Sequence, residues 1–254
     1  MIDTHCHLLN SVDDGSQSKE WTLTMLNSAV ASGISQIIAT PHCWPGIRYT
    51  NDRRNIQPAF DEALRLIEEH KLDLKLYMGC ELFMTDDTLA WIKSGRALAL
   101  NDSLYYLIEL PWSSPQAEAR LQTAYLQNIL DMGKRILIAH PERYSVLVND
   151  FTLVQKWRDM GCYFQINRTS LIDPNCWEYE MAWKLVNAGY VDIIASDAHQ
   201  AKGKRILVLD DIYELLKDKF GESKVKLWFE ENPQKIIDNE LIEIPKDKFL
   251  GILY

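Results

Sequence analysis

Short runs of apolar, largely β-branched residues recur along the chain. They alternate with longer stretches in which apolar positions fall three and four apart. The runs predict strands at residues 2–5, 36–40, 74–80, 105–110, 135–139, 162–167 and 192–196. The stretches between them predict helices at residues 20–32, 56–70, 117–132, 152–160, 177–187 and 206–217. Gly33, Gly133, Gly161 and Gly189 each sit just past a helical stretch, where a left-handed residue ends a helix. Strand, helix and glycine repeated in this order point to parallel strands joined by crossover helices. The run Ile136-Leu137-Ile138-Ala139 is apolar throughout, as in a strand covered on both faces. These units predict an α/β fold, a distorted TIM-like (βα)7 barrel. Residues 96–110 interrupt the rhythm and read as two short strands around Asn101-Asp102-Ser103. From Gly221 onward the chain reads as helical and then irregular, an extension packed outside the barrel. No repeat, linker or low-complexity segment divides residues 1–254, so they read as one domain.

Composition narrows the classes. With 254 residues, 47% hydrophobic and 25% charged, the chain has the balance of a globular domain with one sizeable core. No run approaches the roughly 18 apolar residues of a membrane span. The opening Met1-Ile2-Asp3-Thr4-His5 offers no basic and apolar leader, so the expected location is cytoplasmic. Five scattered cysteines without a CxxC pair fit reduced thiols. A formal charge of −9 argues against nucleic acid as a partner, although a small phosphate pocket needs only a few local cations.

The histidines carry the chemistry. The chain has six, and His5, His7, His42, His140 and His199 all fall at or just past the C-terminal end of a predicted strand. In βα barrels that end carries the active site. His5 and His7 are two apart on a strand, so both imidazoles project to one side while Cys6 points away. Asp14, in the loop Ser11-Val12-Asp13-Asp14-Gly15, can fold over the same opening, and Asp13 is the alternative contributor. Thr40-Pro41-His42 and Gly79-Cys80-Glu81 end two more strands, and Asp197-Ala198-His199 ends the last. A lone histidine or glutamate at a strand end is ordinary; this many converging on one rim would be costly to bury unpaired, and metal ions remove that cost. Imidazoles and carboxylates suit manganese, iron or zinc. Cys6, Cys43 and Cys80 adjoin proposed ligands, but alternation turns Cys6 and Cys80 away. His5, His7, Asp14, His42, Glu81, His140, Asp197 and His199 are too many for one ion, so two or three divalent ions are expected.

In this order the motifs resemble the signature of the PHP (polymerase and histidinol phosphatase) superfamily. Within it, Ile2-Asp3-Thr4-His5-Cys6-His7, Val12-Asp13-Asp14-Gly15, Ile38-Ala39-Thr40-Pro41-His42, Leu107-Ile108-Glu109-Leu110-Pro111 and His140-Pro141-Glu142-Arg143-Tyr144 resemble the CpsB-type manganese-dependent tyrosine phosphatases of capsule and exopolysaccharide operons. The likeness runs from residue 1 to about 210. It implies a three-metal centre in which His5, His7, Glu81 and Asp197 serve one ion, Glu81 and His140 a second, and Asp14, His42 and His199 a third. It also implies that Arg143 holds phosphate, with Arg205 or Lys204 as the second cation. Where the family often has another histidine after Thr-Pro-His, this chain has Cys43. The implied reaction is attack of a metal-activated hydroxide on phosphotyrosine, and the implied partner is the tyrosine-rich tail of a bacterial tyrosine kinase.

Several readings compete. A histidinol-phosphate or other small-molecule phosphatase would share the metal site. An amidohydrolase also opens with His-x-His, but this chain has no lysine at a predicted strand end. A cysteine phosphatase would use Cys43 with Arg48, yet only four residues separate them where its phosphate loop needs five. A metal-holding interaction module would be marked by a missing ligand, and none is missing. Trp44 and Trp112 follow predicted strand ends and are expected either in helix–barrel packing or at the mouth of the site. The helix at residues 20–32 is a candidate surface for a homo-oligomer.

Overall fold

The structure, a computed structural model, describes residues 1–112 and 118–244. Residue 117, the expected start of one helix, and residues 245–254 of the expected tail lie outside the described residues. Each of the seven main predicted strands forms, with ends within two residues of those expected. In chain order the first half holds β1 (Ile2–Cys6), α1 (Lys19–Ala31), β2 (Gln36–Ala39), β3 (His42–Cys43), α2 (Arg53–Glu69), β4 (Lys75–Met78), β5 (Glu81–Phe83), α3 (Thr88–Ser94) and β6 (Tyr105–Glu109). There follow α4 (Ala119–Asp131), β7 (Arg135–Ala139), α5 (Ser145–Asn149), α6 (Thr152–Asp159), β8 (Tyr163–Asn167), α7 (Arg168–Ile172), α8 (Tyr179–Asn187), β9 (Ile193–Ala195) and α9 (Asp210–Phe220).

All the strand pairs are parallel, in two sheets ordered β1-β2-β4 and β3-β5-β6-β7-β8-β9. The two short strands β3 and β5 continue the lines of β2 and β4. Pro41 has no N–H to give to a ladder, and the pairing resumes only at His42 and Glu81. Two bonds span the break, from Gly79 N to Ala39 O and from Glu81 N to Pro41 O. At the other edge, β1 meets the end of β9 through Asp197 N to His5 O and His7 N to Ala198 O, both 2.8 Å, with a bridge between Cys6 and Ala198.

One irregularity in β1 matters for chemistry. Asp3 faces Ile37 and Cys6 faces Ala39, so three steps on β1 match two on β2. A one-residue bulge exchanges the two faces of a strand beyond it. Ile2 therefore packs in the small cluster with Ile38, Leu107 and Leu137, whereas Cys6 packs in the larger one with Ile37 and Ala39. His5 and His7 are thereby carried onto the face that Ile2 occupies below them. Asp3 takes the freed groups, accepting from His5 N at 3.3 Å and Ser196 N at 3.1 Å.

The small cluster consists of alternate strand residues, among them Tyr105, Leu107, Leu137, Ala139, Tyr163 and Ile193. It is closed from below by the segment after α9, namely α10 (Glu222–Lys226), a π turn at Leu227–Glu231 and α11 (Asn232–Ile237). Ile236, Ile237 and Ile242 complete the cluster, Tyr105 Oη donates to Glu240 O, and Tyr163 Oη donates to Ile242 O. The tail thus packs against the N-terminal end of the strands, because its isoleucines fill a floor that the strands leave open.

Two expectations are corrected. Residues 96–100 form no strand: Leu100–Asp102 is a 3-10 turn, with Asn101 and Asp102 left-handed. The last predicted helix starts at Asp210 rather than 206, since Leu207 and Leu209 are both buried before it begins. No helix among the described residues is long and apolar enough to cross a membrane.

Candidate metal centre

Beyond the apolar cluster, the same strand faces turn polar toward their C-terminal ends. Two positions past Leu107 is Glu109, past Tyr163 come Gln165 and Asn167, and past Ile193 the alternation leads to Asp197. His140 and Asp197 follow their strands in left-handed backbone, at φ 32° and 49°. Such conformations are costly for residues with a side chain and collect where function demands them. Gly15 brings the loop of Asp13 and Asp14 against β1: a Cβ there would lie 2.1 Å from the His7 carbonyl oxygen.

The predicted ligands converge. Glu81 Oε2 lies 3.2 Å from His5 Nε2, 3.3 Å from His7 Nε2 and 2.9 Å from His42 Nδ1, while Glu81 Oε1 is 2.7 Å from His140 Nε2. Asp197 Oδ1 is 3.5 Å from His5 Nε2 and 3.6 Å from His7 Nε2. Asp14 Oδ1 is 3.3 Å from His42 Nε2 and 3.7 Å from His199 Nε2. Three groups of donor atoms each fall within 4.8 Å of one another: His5, His7 and Glu81; His7, Asp14, His42 and His199; and His42, Glu81 and Glu109.

Glu109 joins these groups although sequence reasoning does not single it out as a ligand. Its signal is a carboxylate at the end of an otherwise apolar buried strand, within the stretch Leu107–Pro111 that carries part of the family likeness. Asp13, the alternative to Asp14, instead orients the His7 imidazole and anchors the His42 backbone: it accepts from His7 Nδ1 at 2.7 Å and from the His42 backbone N–H at 2.8 Å.

Of the three basic residues, two enter the site. Arg143 Nη1 donates to Asp197 Oδ2 at 3.0 Å and Arg205 Nη2 donates to the same oxygen at 2.8 Å. Lys204 does not: it is exposed and pairs with Asp173 at 2.6 Å, on the other side of its loop. The loop bends through residues 201–205, and Arg205 is the one turned inward.

The electrostatics suit cations. Burial works to raise Glu81, but the imidazoles of His5 and His42 outweigh it and hold its carboxyl well below the usual range. Burial likewise opposes ionisation of Asp197, and Arg205, His5 and Arg143 override it. Burial, with Arg143 nearby, lowers His140 to about 4, so its imidazole is neutral, the form that binds metal. Burial and the adjacent Glu81 raise Glu109 to about 8. Among the described residues, His42 Nδ1, Glu81 Oε2, Glu109 Oε2 and Asp197 Oδ1 are buried and make no hydrogen bond of good geometry, although His42 Nδ1 and Glu81 Oε2 face each other at 2.9 Å. Unsatisfied donor atoms of this kind, aimed at common points, fit divalent ions and little else.

The cavity above the cluster holds about 430 Å³. Asp14, His42, Glu81, Glu109, His140, Asp197 and His199 line it with Arg143 and Arg205, and Trp44, Phe83, Pro111 and Trp112 supply its apolar lining. Trp44 packs on Phe83 with ring centroids 4.7 Å apart, and Trp112 Nε1 donates to Glu109 Oε1. Both tryptophans therefore sit at the mouth of the site. The thiols do not: Cys6, Cys43 and Cys80 are buried in the larger apolar cluster, and Arg48 stacks on Tyr49 and Trp44 rather than closing a loop around Cys43.

Residues 1–238 match the family model described as capsular polysaccharide synthesis, CpsB/CapC. The tyrosine-protein phosphatase CpsB of Streptococcus pneumoniae is 33% identical, covering 95% of this chain and all of the relative. The putative tyrosine-protein phosphatase CapC of Staphylococcus aureus is 31% identical over the full length of both chains. Among solved structures, one from a study of YwqE from Bacillus subtilis and CpsB from Streptococcus pneumoniae, described as unique metal-dependent tyrosine phosphatases, superimposes with a TM-score of 0.86 at 28% identity, covering 96% of each chain. A phosphotriesterase homology protein of Escherichia coli, at 14% identity and a TM-score of 0.55, shares the fold alone; it covers 92% of this chain and 97% of its own.

Proposed function

This chain belongs to the CpsB/CapC family of capsular polysaccharide synthesis proteins, and from that premise we propose that it is a metal-dependent tyrosine-protein phosphatase. The observation that carries the reading is one cavity with a lining of two kinds. Imidazoles, carboxylates and two arginines meet tryptophan, phenylalanine and proline around the same space.

We assign His5, His7, Glu81 and Asp197 to one ion, Glu81, His140 and Glu109 to a second, and Asp14, His42 and His199 to a third. Two or three ions are expected, manganese first, with iron or zinc as alternatives of similar chemistry. When bound, such ions supply a hydroxide nucleophile near neutral pH and neutralise charge on the phosphoryl oxygens. The chain's own residues do the rest. Arg143 and Arg205 share one oxygen of Asp197, which holds both guanidinium forks at the polar lining, ready to take non-bridging phosphate oxygens. Trp44, Phe83 and Trp112 offer ring faces to the tyrosyl group and exclude water from one side of it. A tyrosyl leaving group departs as phenolate with a pKa of about 10, so it asks less of a general acid than an alkoxide would.

The same reading treats the two sheets as one distorted (βα)7 barrel, for which the Cys6–Ala198 bridge speaks, and residues 1–254 as one domain. Its natural substrate would be the phosphorylated tail of a bacterial tyrosine kinase in the cytoplasm. A homo-oligomer through α1 belongs to it too, supported by the exposed Trp21.

The test is phosphate release from a phosphotyrosyl peptide and from histidinol phosphate, on chelator-stripped protein with and without manganese. Manganese-restored release from the peptide alone is the expected result. Preference for histidinol phosphate would keep the metal site and overturn the substrate. Release from neither, with manganese bound, would overturn the phosphatase reading in favour of an amidohydrolase or a binding module.

A further inference from the structure

Strand β8 stands apart within its sheet. The other five strands carry or lead into His42, Glu81, Glu109, His140 and Asp197, whereas β8 presents Gln165 and Asn167, neutral amides with no exposed surface. Neither is a natural ligand in a cluster this rich in imidazole and carboxylate. Their hydrogen bonds run in one direction. His5 Nδ1 is 2.8 Å from Gln165 Oε1, and since a carbonyl oxygen only accepts, the ring nitrogen must be the donor. Gln165 Nε2 donates to Asn167 Oδ1 at 2.8 Å, and Asn167 Nδ2 donates to Asp197 Oδ2 at 2.6 Å. The backbone N–H of Asn167 is anchored in turn on Glu142 Oε1 at 2.9 Å.

We propose that Gln165 and Asn167 are a positioning pair that couples two metal ligands on separate strands, His5 on β1 and Asp197 beyond β9. The inference rests on the metal-centre reading above, not on the identity of the substrate. At one end, the hydrogen bond to Gln165 commits the His5 proton to Nδ1 and leaves the Nε2 lone pair facing Glu81 and His7. At the other end, Asp197 Oδ2 is saturated by Asn167, Arg143 and Arg205, which leaves Oδ1 as the oxygen free to ligate. A carboxylate at either amide position would lack the donor the relay needs and would add negative charge beside Asp197. A simple core role for the two amides would predict a loss of stability with no change in metal affinity.

The experiment measures manganese affinity by competition with a fluorescent chelator for wild type, Gln165→Met, Asn167→Asp and Thr123→Val. The last breaks a buried hydrogen bond remote from the site, from Trp157 Nε1 to Thr123 Oγ1. A proton resonance of the His5 Nδ1–H, slow to exchange with solvent, is followed alongside in the metal-free proteins. Both relay variants should weaken manganese binding by about 10- to 100-fold. Gln165→Met should also abolish the slow exchange, while Thr123→Val lowers thermal stability and leaves affinity within twofold. Asn167→Asp is nearly isosteric and keeps the test open if Gln165→Met fails to fold. Affinity unchanged in a folded relay variant, or a His5 Nδ1–H that exchanges freely in wild type, overturns the proposal. A wild type that binds manganese but releases nothing from a phosphotyrosyl peptide overturns the functional reading and leaves the relay standing.

Discussion

Replacing Arg143 by alanine separates phosphate binding from metal binding. Arg143 is almost wholly buried, 7% exposed, so solvent screens little of its charge. Its side chain bonds the cluster through Asp197 Oδ2, and that oxygen keeps Asn167 at 2.6 Å and Arg205 at 2.8 Å when Arg143 is gone. Asn167, which ties Asp197 to Gln165 and His5, stays in place together with Arg205, so metal content should not change. What is lost is a charge-assisted hydrogen bond to the phosphoryl group, worth about 1.5–3 kcal/mol. At about 1.4 kcal/mol per tenfold, kcat/KM for a phosphotyrosyl peptide should fall by about 10- to 150-fold. The contact with Trp112, 5.0 Å from the guanidinium carbon to the ring centroid, places the result toward the upper end, because truncation also frees that ring. Steady-state kinetics under saturating manganese and elemental analysis of the same preparation read the two quantities. Arg143→Lys should recover part of the rate, since an ammonium keeps the charge without the fork. His5→Ala should do the opposite and strip metal first. Loss of metal in Arg143→Ala, or a rate within twofold of wild type, would refute the assigned role.

Other consequences follow from the same geometry. Trp44→Ala and Trp112→Ala should each lower the preference for phosphotyrosine over phosphoserine peptides, by about 2- to 12-fold for a ring contact of about 0.5–1.5 kcal/mol; an unchanged ratio would remove the apolar lining from the reading. Gly15→Ala places a methyl 2.1 Å from the His7 carbonyl, so the Asp14 loop must shift. It should destabilise the protein by about 1–3 kcal/mol and reduce bound metal, read by thermal unfolding and elemental analysis; full metal content would show that the loop does not need this approach. Ile236→Ala, in the floor cluster, should cost about 2–5 kcal/mol in urea unfolding while manganese affinity holds, and a cost near zero would contradict the stopper role of the tail.

The strands are legible in the sequence because parallel strands covered on both faces leave continuous apolar runs, as in Ile136–Ala139, and glycines mark the helix ends between them. The ligands are legible because histidine is rare here and falls at or just past the ends of those runs, where a spacing of two marks His5 with His7 and Asp197 with His199. Arg205 and Lys204 are indistinguishable by sequence, being adjacent cations in one loop; only the path of that loop sends one to Asp197 and the other to Asp173. Glu109 escapes notice because it lies inside the expected strand 105–110, whereas Glu81 falls just past the end of its own.

Residue type and spacing along the chain thus determine which strands form and which atoms are available to hold metal, since both depend on nearest neighbours and on side-chain chemistry. Three matters need the tertiary structure. The bulge in β1 that turns His5 and His7 inward depends on a register with β2 about thirty residues away. The tail closes the floor because buried residues from six strands leave a gap that Ile236, Ile237 and Ile242 fill. The link from His5 through Gln165 and Asn167 to Asp197 joins residues up to 192 positions apart, and no local pattern encodes a hydrogen bond between strands that meet only when the sheets assemble.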